Sequence, residues 1–391
     1  MTKVTLPPIF QEIWGKVNKG RIAFRRFRKA IVLEVDPSPS YTRTTLQDKV
    51  RNLFKEAIEQ WNKLTPEEKQ QYDQIASKYN LTGYQYFIGQ YISENYIPPG
   101  EITFPIEIRI VEQSGRDLTD YQVLLQVKND PDFFNALGED PTKIEIYAED
   151  KTTQLPFYVE EYDPANQIAR IWIKIPSIPA NSGVKAYIAY NPARTTPLSD
   201  PNQVFDLYDD FEDGVIDTSL WNVKGNVKEE NGTLKLIDLN TATLAQAYSS
   251  ITFNKYVALE FLHRFIYTNR DATAGFRSPS GVSEADGAFI NLGENGFTFD
   301  TKNEGTTTST NIGTPHTDFK QIRIVWLPTK AQCYIDGELK ATNTSNIPDE
   351  PIPVRFAAFG NGTNAGQEID YVRVRKYTDP EPEVTYAVLT T

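Results

Sequence analysis

The chain has a single cysteine, Cys333, so no intramolecular disulfide, CxxC redox motif or thiolate zinc cluster is open to it. Its two histidines, His263 and His316, lie far apart in sequence, which argues against a histidine-held metal. No apolar run approaches the roughly 18 residues of a spanning helix. The N-terminal stretch MTKVTLPPIFQEIWGKVNKG lacks the apolar core of a secretory signal and points away from ordinary secretion. No repeat of about 20 to 50 residues recurs, so a solenoid or propeller is not expected. Methionine occurs only at position 1; scarce Met and Cys beside 25 prolines fit a thermophile or an oxidising setting, although plentiful Asn pulls the other way.

What is present is a globular composition, 39% hydrophobic and 24% charged over 391 residues, enough for two to four domains. The net charge of −12 is unevenly spread: residues 1–97 hold 15 Lys or Arg against 10 Asp or Glu, and the remainder holds 25 against 42. A basic front and an acidic body are electrically distinct objects. Prolines mark the joins, at Pro98-Pro99-Gly100 and from Pro192 through Pro197 to Pro201. The expected order is a basic arm (1–40), a three-helix module (41–97), a β-sandwich (98–197), a larger all-β domain (204–378) and a C-terminal tail (379–391).

Residues 15–35 alternate basic and apolar types, which suits an extended arm or edge hairpin. Leu46, Val50, Leu53, Phe54, Ala57, Ile58, Trp61 and Leu64 keep helical spacing, and Thr65-Pro66-Glu67-Glu68 supplies a cap, a proline at the first helical position and a capping-box glutamate. Tyr72, Ile75, Ala76 and Tyr79 continue that second helix, and Tyr84, Phe87, Ile88, Tyr91 and Ile92 predict a third. From Glu101 the period falls to 2, in ITFPIEIRIV, YQVLLQV, KIEIYAE, ARIWIKIP and VKAYIAY, predicting about seven antiparallel strands. Later runs such as YVALEFLHRF, GAFINLG and KQIRIVWL repeat the style, with Asp336-Gly337 as a two-residue hairpin turn. The fold class is therefore multidomain and mainly β.

Three segments carry a resemblance in the last domain: Phe205 to Trp221, Phe319 to Thr342 with its Y-I-D-G-E-L hairpin, and Asp370-Tyr371-Val372-Arg373-Val374. Together they resemble the concanavalin A-like jelly roll shared by legume lectins, laminin G-like modules and laminarinase-type hydrolases. Leu118 to Val123, Leu155-Pro156-Phe157, Trp172 to Pro179 and Tyr187 to Pro192 resemble a poorly characterised β-sandwich family found ahead of such jelly rolls. Trp61, the LTPEEKQQY run and Thr82 to Phe87 resemble a segment at the start of phage and archaeal-virus structural proteins, and more loosely an HMG box.

Laminarinase-type catalysis needs paired carboxylates from one strand, E-x-D-x-x-E, and that triplet is missing; Glu284-Ala285-Asp286 and Glu368-Ile369-Asp370 each stop short of it. No enzyme activity is therefore expected. The resemblance implies a structural Ca²⁺ held by Asp370, by the backbone carbonyl of Gly232 and by a carbonyl of the Tyr208 to Asp210 segment, at Asp210. The alternative is that Asp370 ends a strand and Asp209, Asp210, Glu212 and Asp213 form a solvated acidic turn. Lys16, Lys19, Arg21, Arg25, Arg26, Arg28 and Lys29 form a basic cluster that no acid interrupts. It suits an acidic subunit surface, with nucleic acid the less favoured partner because no reader motif accompanies it. The combined expectation is a virion structural protein assembled in the cytoplasm, contacting copies of itself and other virion proteins, with outward β domains and a host-surface glycan as ligand. A cellular, extracellular carbohydrate-binding protein and a glycan hydrolase with an atypical site are the alternatives.

Overall fold

The computed structural model describes residues 22–27, 30–35, 45–79, 81–95, 102–239, 243–268, 271–279, 286–360 and 362–389. The chain divides into two compact units, Met1–Glu101 and Ile102–Thr391.

In the first unit, strands Ile22–Phe27 and Ala30–Val35 pair as an antiparallel hairpin with Phe27 opposite Ala30. Three helices follow, Thr45–Lys63, Pro66–Ser77 and Gly83–Asn95. The capping box closes as the sequence predicts. The Thr65 amide donates to Glu68 Oε2 at 2.8 Å and the Glu68 amide to Thr65 Oγ1 at 3.3 Å, satisfying two amides that the helix leaves without partners. Trp61 lies 5.4 Å from Phe87 and 5.6 Å from Tyr84 between ring centroids, joining the first helix to the third. Gly83 is needed for space, because a Cβ there would stand 2.6 Å from the Asp73 backbone nitrogen. Lys16, Lys19, Arg21, Arg28 and Lys29, together with Pro98-Pro99-Gly100, lie outside the described residues, while Arg25 and Arg26 fall on the first strand of the hairpin.

The second unit holds two β assemblies. The smaller is a sandwich. Strands Leu118–Lys128, Ile168–Ile178 and Phe157–Asp163 form one sheet, with Ile168–Ile178 central. The opposing sheet orders Glu383–Val388, Thr103–Val111, Gly183–Tyr190 and Ile144–Ala148. Alternate residues such as Ile106, Ile108 and Ile110 meet Val123, Leu125, Ile171 and Ile173 in its core. One expectation is corrected here: the C-terminal stretch is no tail. Glu383–Val388 runs antiparallel to Thr103–Val111, Glu383 opposite Val111 and Val388 opposite Ile106, and the Tyr386 hydroxyl donates to Asp130 Oδ2 at 2.6 Å. An otherwise open edge thereby gains a full partner, which is the physical reason the chain returns.

The larger assembly packs a seven-stranded sheet on an eight-stranded one. Its core takes every second residue of each strand, for example Ala288, Ile290 and Leu292 of Gly287–Gly293 and Leu259 and Phe261 of Val257–Phe265, around fully buried Trp221 and Trp326. Asp336 (φ 50°) and Gly337 (φ 80°) both take left-handed backbone between Ala331–Ile335 and Glu338–Asn343, the geometry a two-residue hairpin requires. No described helix is long and apolar enough to cross a membrane.

Candidate functional site

Alternation sends the other half of the seven-stranded sheet's residues to its outward face. Ala272, Ala274 and Phe276 of Ala272–Arg277 enter the core, so Thr273, Gly275 and Arg277 face away; Gly287, Phe289 and Asn291, Thr298 and Asp300, and Arg355 and Ala357 do the same on their strands. The register aligns them in rows, one running Tyr248, Arg355, Gly275, Phe289, Asp300, Ser309 and the next Gln246, Ala357, Thr273, Asn291, Thr298, Asn311.

These polar side chains are held, and several are withdrawn from water. Arg355, 1% exposed, donates from Nε to Gln246 Oε1 at 2.9 Å and from Nη1 to the Ser278 carbonyl at 3.2 Å. Arg277 stacks over Phe289 at 4.3 Å. Burial pushes both guanidinium groups down to about 10, with Arg355 adding to the effect at Arg277, and they stay cationic at neutral pH. Asn291 Nδ2 donates to Asp300 Oδ2 at 2.9 Å. The other Asp300 oxygen, Oδ1, and the neighbouring Thr273 Oγ1 are buried without a hydrogen-bond partner. Gly275 (φ 150°) has no room for a side chain, since a Cβ would stand 2.6 Å from Phe289 Cα, so only glycine lets the Phe289 strand approach this closely.

A second polar group ties the sheets together. Gln367 donates through Nε2 to the Thr273 and Ala357 carbonyls at 3.1 and 2.8 Å, so its oxygen accepts from His263 Nε2 at 2.9 Å. His263 Nδ1 is then the acceptor for His316 Nε2, also at 2.9 Å. Burial, then the neighbouring His316, depresses His263 to about 3, and burial depresses His316 to about 4; both are neutral at pH 7.

The residues expected to hold calcium fall in one neighbourhood. Asp370 lies on strand Asn364–Lys376, one edge of which is taken by Val257–Phe265; along the other edge Thr233–Leu239 pairs up to Ile369, opposite Leu234, and Leu207–Asp209 pairs beyond it, with Asp209 opposite Val372. That brings Asp210 and Gly232 to the segment around Asp370. Asn231 (φ 55°) and Gly232 (φ 72°) form the turn, and the Glu212 carboxylate lies so close to Gly232 that a Cβ would stand 2.8 Å from Oε1. Burial, then Glu212 and Asp210, raises the Asp370 pKa. Burial, then the hydrogen-bonded Asp213, pushes Glu229 up to about 7. Among the described residues no lysine or arginine forms an ion pair with Asp209, Asp210, Glu212, Asp213, Glu229 or Asp370, and no three His, Cys, Asp or Glu side chains are grouped to hold a metal. The donors are hard oxygens carrying uncompensated charge, which fits Ca²⁺ and no softer metal, but a bound ion would draw part of its shell from backbone and water. Glu284 and Ala285 lie outside the described residues; Glu368 is held by Arg264 and Lys235.

The two larger sheets define a concanavalin A-like jelly roll. A family described as a domain of unknown function (DUF2341) matches residues 140–224, spanning the later part of the sandwich and the opening of the jelly roll. Among solved structures, the Bacillus licheniformis β-glucanase is 19% identical over 44% of this chain and 97% of its own, with a TM-score of 0.37. The endo-β-1,3-glucanase of Pyrococcus furiosus is 17% identical over 45% and 95%, at 0.35. The Emp47p carbohydrate recognition domain is 14% identical over 44% and 94%, at 0.36. No curated protein matches the chain. The expectation that the chain is no enzyme is corrected here: glucanases and a laminarinase stand among the structures it is similar to, beside a carbohydrate recognition domain.

Proposed function

We propose that the chain is a virion structural protein, assembled in the cytoplasm, held in the particle by its N-terminal hundred residues and carrying a jelly roll that binds host-surface glycans. The observation that carries the glycan reading is the pair of buried, unpartnered oxygens, Thr273 Oγ1 and Asp300 Oδ1, flanking Asn291 on a polar sheet face. A buried acceptor without a partner costs about 1–3 kcal/mol, which a sugar hydroxyl would recover once binding opens the face enough to reach it. Calorimetry against neutral β-glucan and mucin-type oligosaccharides tests it. Asp300→Ala should weaken binding at least about tenfold, the worth of a charged hydrogen bond. Equal affinity in both proteins sinks the reading, and reducing-sugar release from the bound oligosaccharide separates turnover from binding.

The anchoring role is supported by the charge contrast between residues 1–97 and the rest. Its partners would be copies of the chain and other acidic virion proteins. Deleting residues 1–101 should abolish incorporation into particles while leaving the second unit folded; undiminished incorporation favours a cell-surface carbohydrate-binding protein instead. A calcium ion at Asp370, Asp210 and the Gly232 backbone would pin the opening strand to the closing one.

A further inference from the structure

Opposite the proposed glycan face, the outward side of the eight-stranded sheet meets the sandwich sheet around Leu118–Lys128 across a cleft of about 370 Å³. Four arginines, Arg170, Arg323, Arg373 and Arg375, line it, and three carboxylates, Glu160, Glu260 and Glu381, contact them. Three of the guanidinium groups are engaged. Arg373 reaches Glu260 at 2.7 Å and Glu160 at 2.6 Å; Arg375 forks onto Glu381 at 2.5 and 3.3 Å and reaches Glu260 at 3.2 Å; Arg170 donates to Glu160 at 3.0 Å.

Arg323 differs. It sits opposite Glu260 in the register, and its Cζ lies over the Tyr334 ring, 4.0 Å from the centroid. Its Nε is withdrawn from water and makes no hydrogen bond. An unpartnered donor on a permanent cation is costly, and here it belongs to the one of the four arginines that reaches no carboxylate as an ion pair, although its charge still helps hold the Glu260 carboxyl down. A guanidinium is planar, and an edge of it left free of carboxylates matches the geometry of a carboxylate or sulfate group.

We propose that this cleft is a binding site for a small oxyanion, a carboxylate or sulfate group, received by Arg323 with Arg170 at the mouth. The anion completes the charge balance between the two β assemblies and stiffens their junction. The site is independent of the glycan face, because it lies on the other sheet and uses none of its residues.

The test is calorimetric titration of the full chain with sodium glucuronate, with inorganic sulfate and with glucose, at ionic strength held constant by sodium chloride. Saturable binding of glucuronate or sulfate, none of glucose, and a loss of at least about tenfold in Arg323→Gln are expected. Glucuronate alone binding places the anion on a sugar; glucuronate and sulfate binding alike makes it a free oxyanion. Asp300→Ala should leave the titration unchanged, so failure of the glycan reading does not touch this one. Should Arg323→Gln unfold less cooperatively than the parent, Arg170→Gln at the more exposed mouth carries the same expectation. No saturable binding of either anion, or equal affinity in parent and variant, overturns the proposal.

Discussion

The two outward faces of the jelly roll are made by the same alternation and end in different states, the eight-stranded one paired throughout its centre with Arg323 Nε as the exception. On the eight-stranded sheet, Glu260, Arg373 and Arg375 are buried by the sandwich and answer one another's charge; burial pushes Glu260 up, but Arg373 and Arg375 overwhelm it and hold the carboxyl at about 2. On the seven-stranded sheet, Thr273 and Asp300 keep an oxygen each without a partner. The comparison teaches that a polar sheet face is not itself a binding site. What matters is whether the chain supplies the partners or leaves them to be supplied.

The largest test strikes the covered face. Arg373→Ala leaves Glu260 and Glu160 facing each other's charge without their shared cation, and should cost about 3–5 kcal/mol in denaturant unfolding. A loss under about 1 kcal/mol would mean that the network contributes little and that the two faces differ less than their hydrogen bonding implies. The next concerns the acidic turn, whose carboxylates form no ion pair with a lysine or arginine among the described residues. If calcium fills it, a free concentration 100 times its Kd stabilises by about 2.7 kcal/mol, seen as a rise in melting temperature that a chelator reverses. An unchanged melting temperature removes the metal.

The pH-dependent effect, absent at neutral pH, lies at the join between the sheets. His263 and His316 are depressed below their ordinary value of 6.5, so the folded protein keeps them neutral while the unfolded chain takes up protons. Stability from this pair is complete above pH 6.5 and is lost as pH falls toward 4 and then 3, by about 1.4 kcal/mol per pH unit for each histidine. Glu260, depressed from 4.5 to about 2, adds its own loss only below pH 4.5. A double variant, His263→Gln with His316→Gln, should flatten the slope between pH 6.5 and 4.5 in urea melts; an unaltered slope assigns it elsewhere.

Much of the architecture is legible locally. Thr65 and Glu68 announce a helix start within four residues, Asp336-Gly337 announces a hairpin within two, and the period of 2 marks inward and outward residues strand by strand. Sites are harder to read. Asp370, Asp210 and Gly232 were traceable only through the likeness of three motifs to a known fold. The Thr273, Asn291 and Asp300 group gave no signal, because ordinary polar residues at alternate positions look the same whether or not they find partners.

By itself the sequence determined where helices and strands form, which residues of each face inward, and that the front of the chain is basic and the rest acidic, since these depend on spacing and composition over a few neighbours. Tertiary structure alone decided that the last strand returns to the first sheet, that His263 meets His316, and that Arg323 is left over when Arg373 and Arg375 find their carboxylates. Apart from Arg375 with Glu381, 6 residues away, those outcomes are set by pairings across 53 to 270 residues or more, and long-range pairing leaves no periodic trace in the segments it joins.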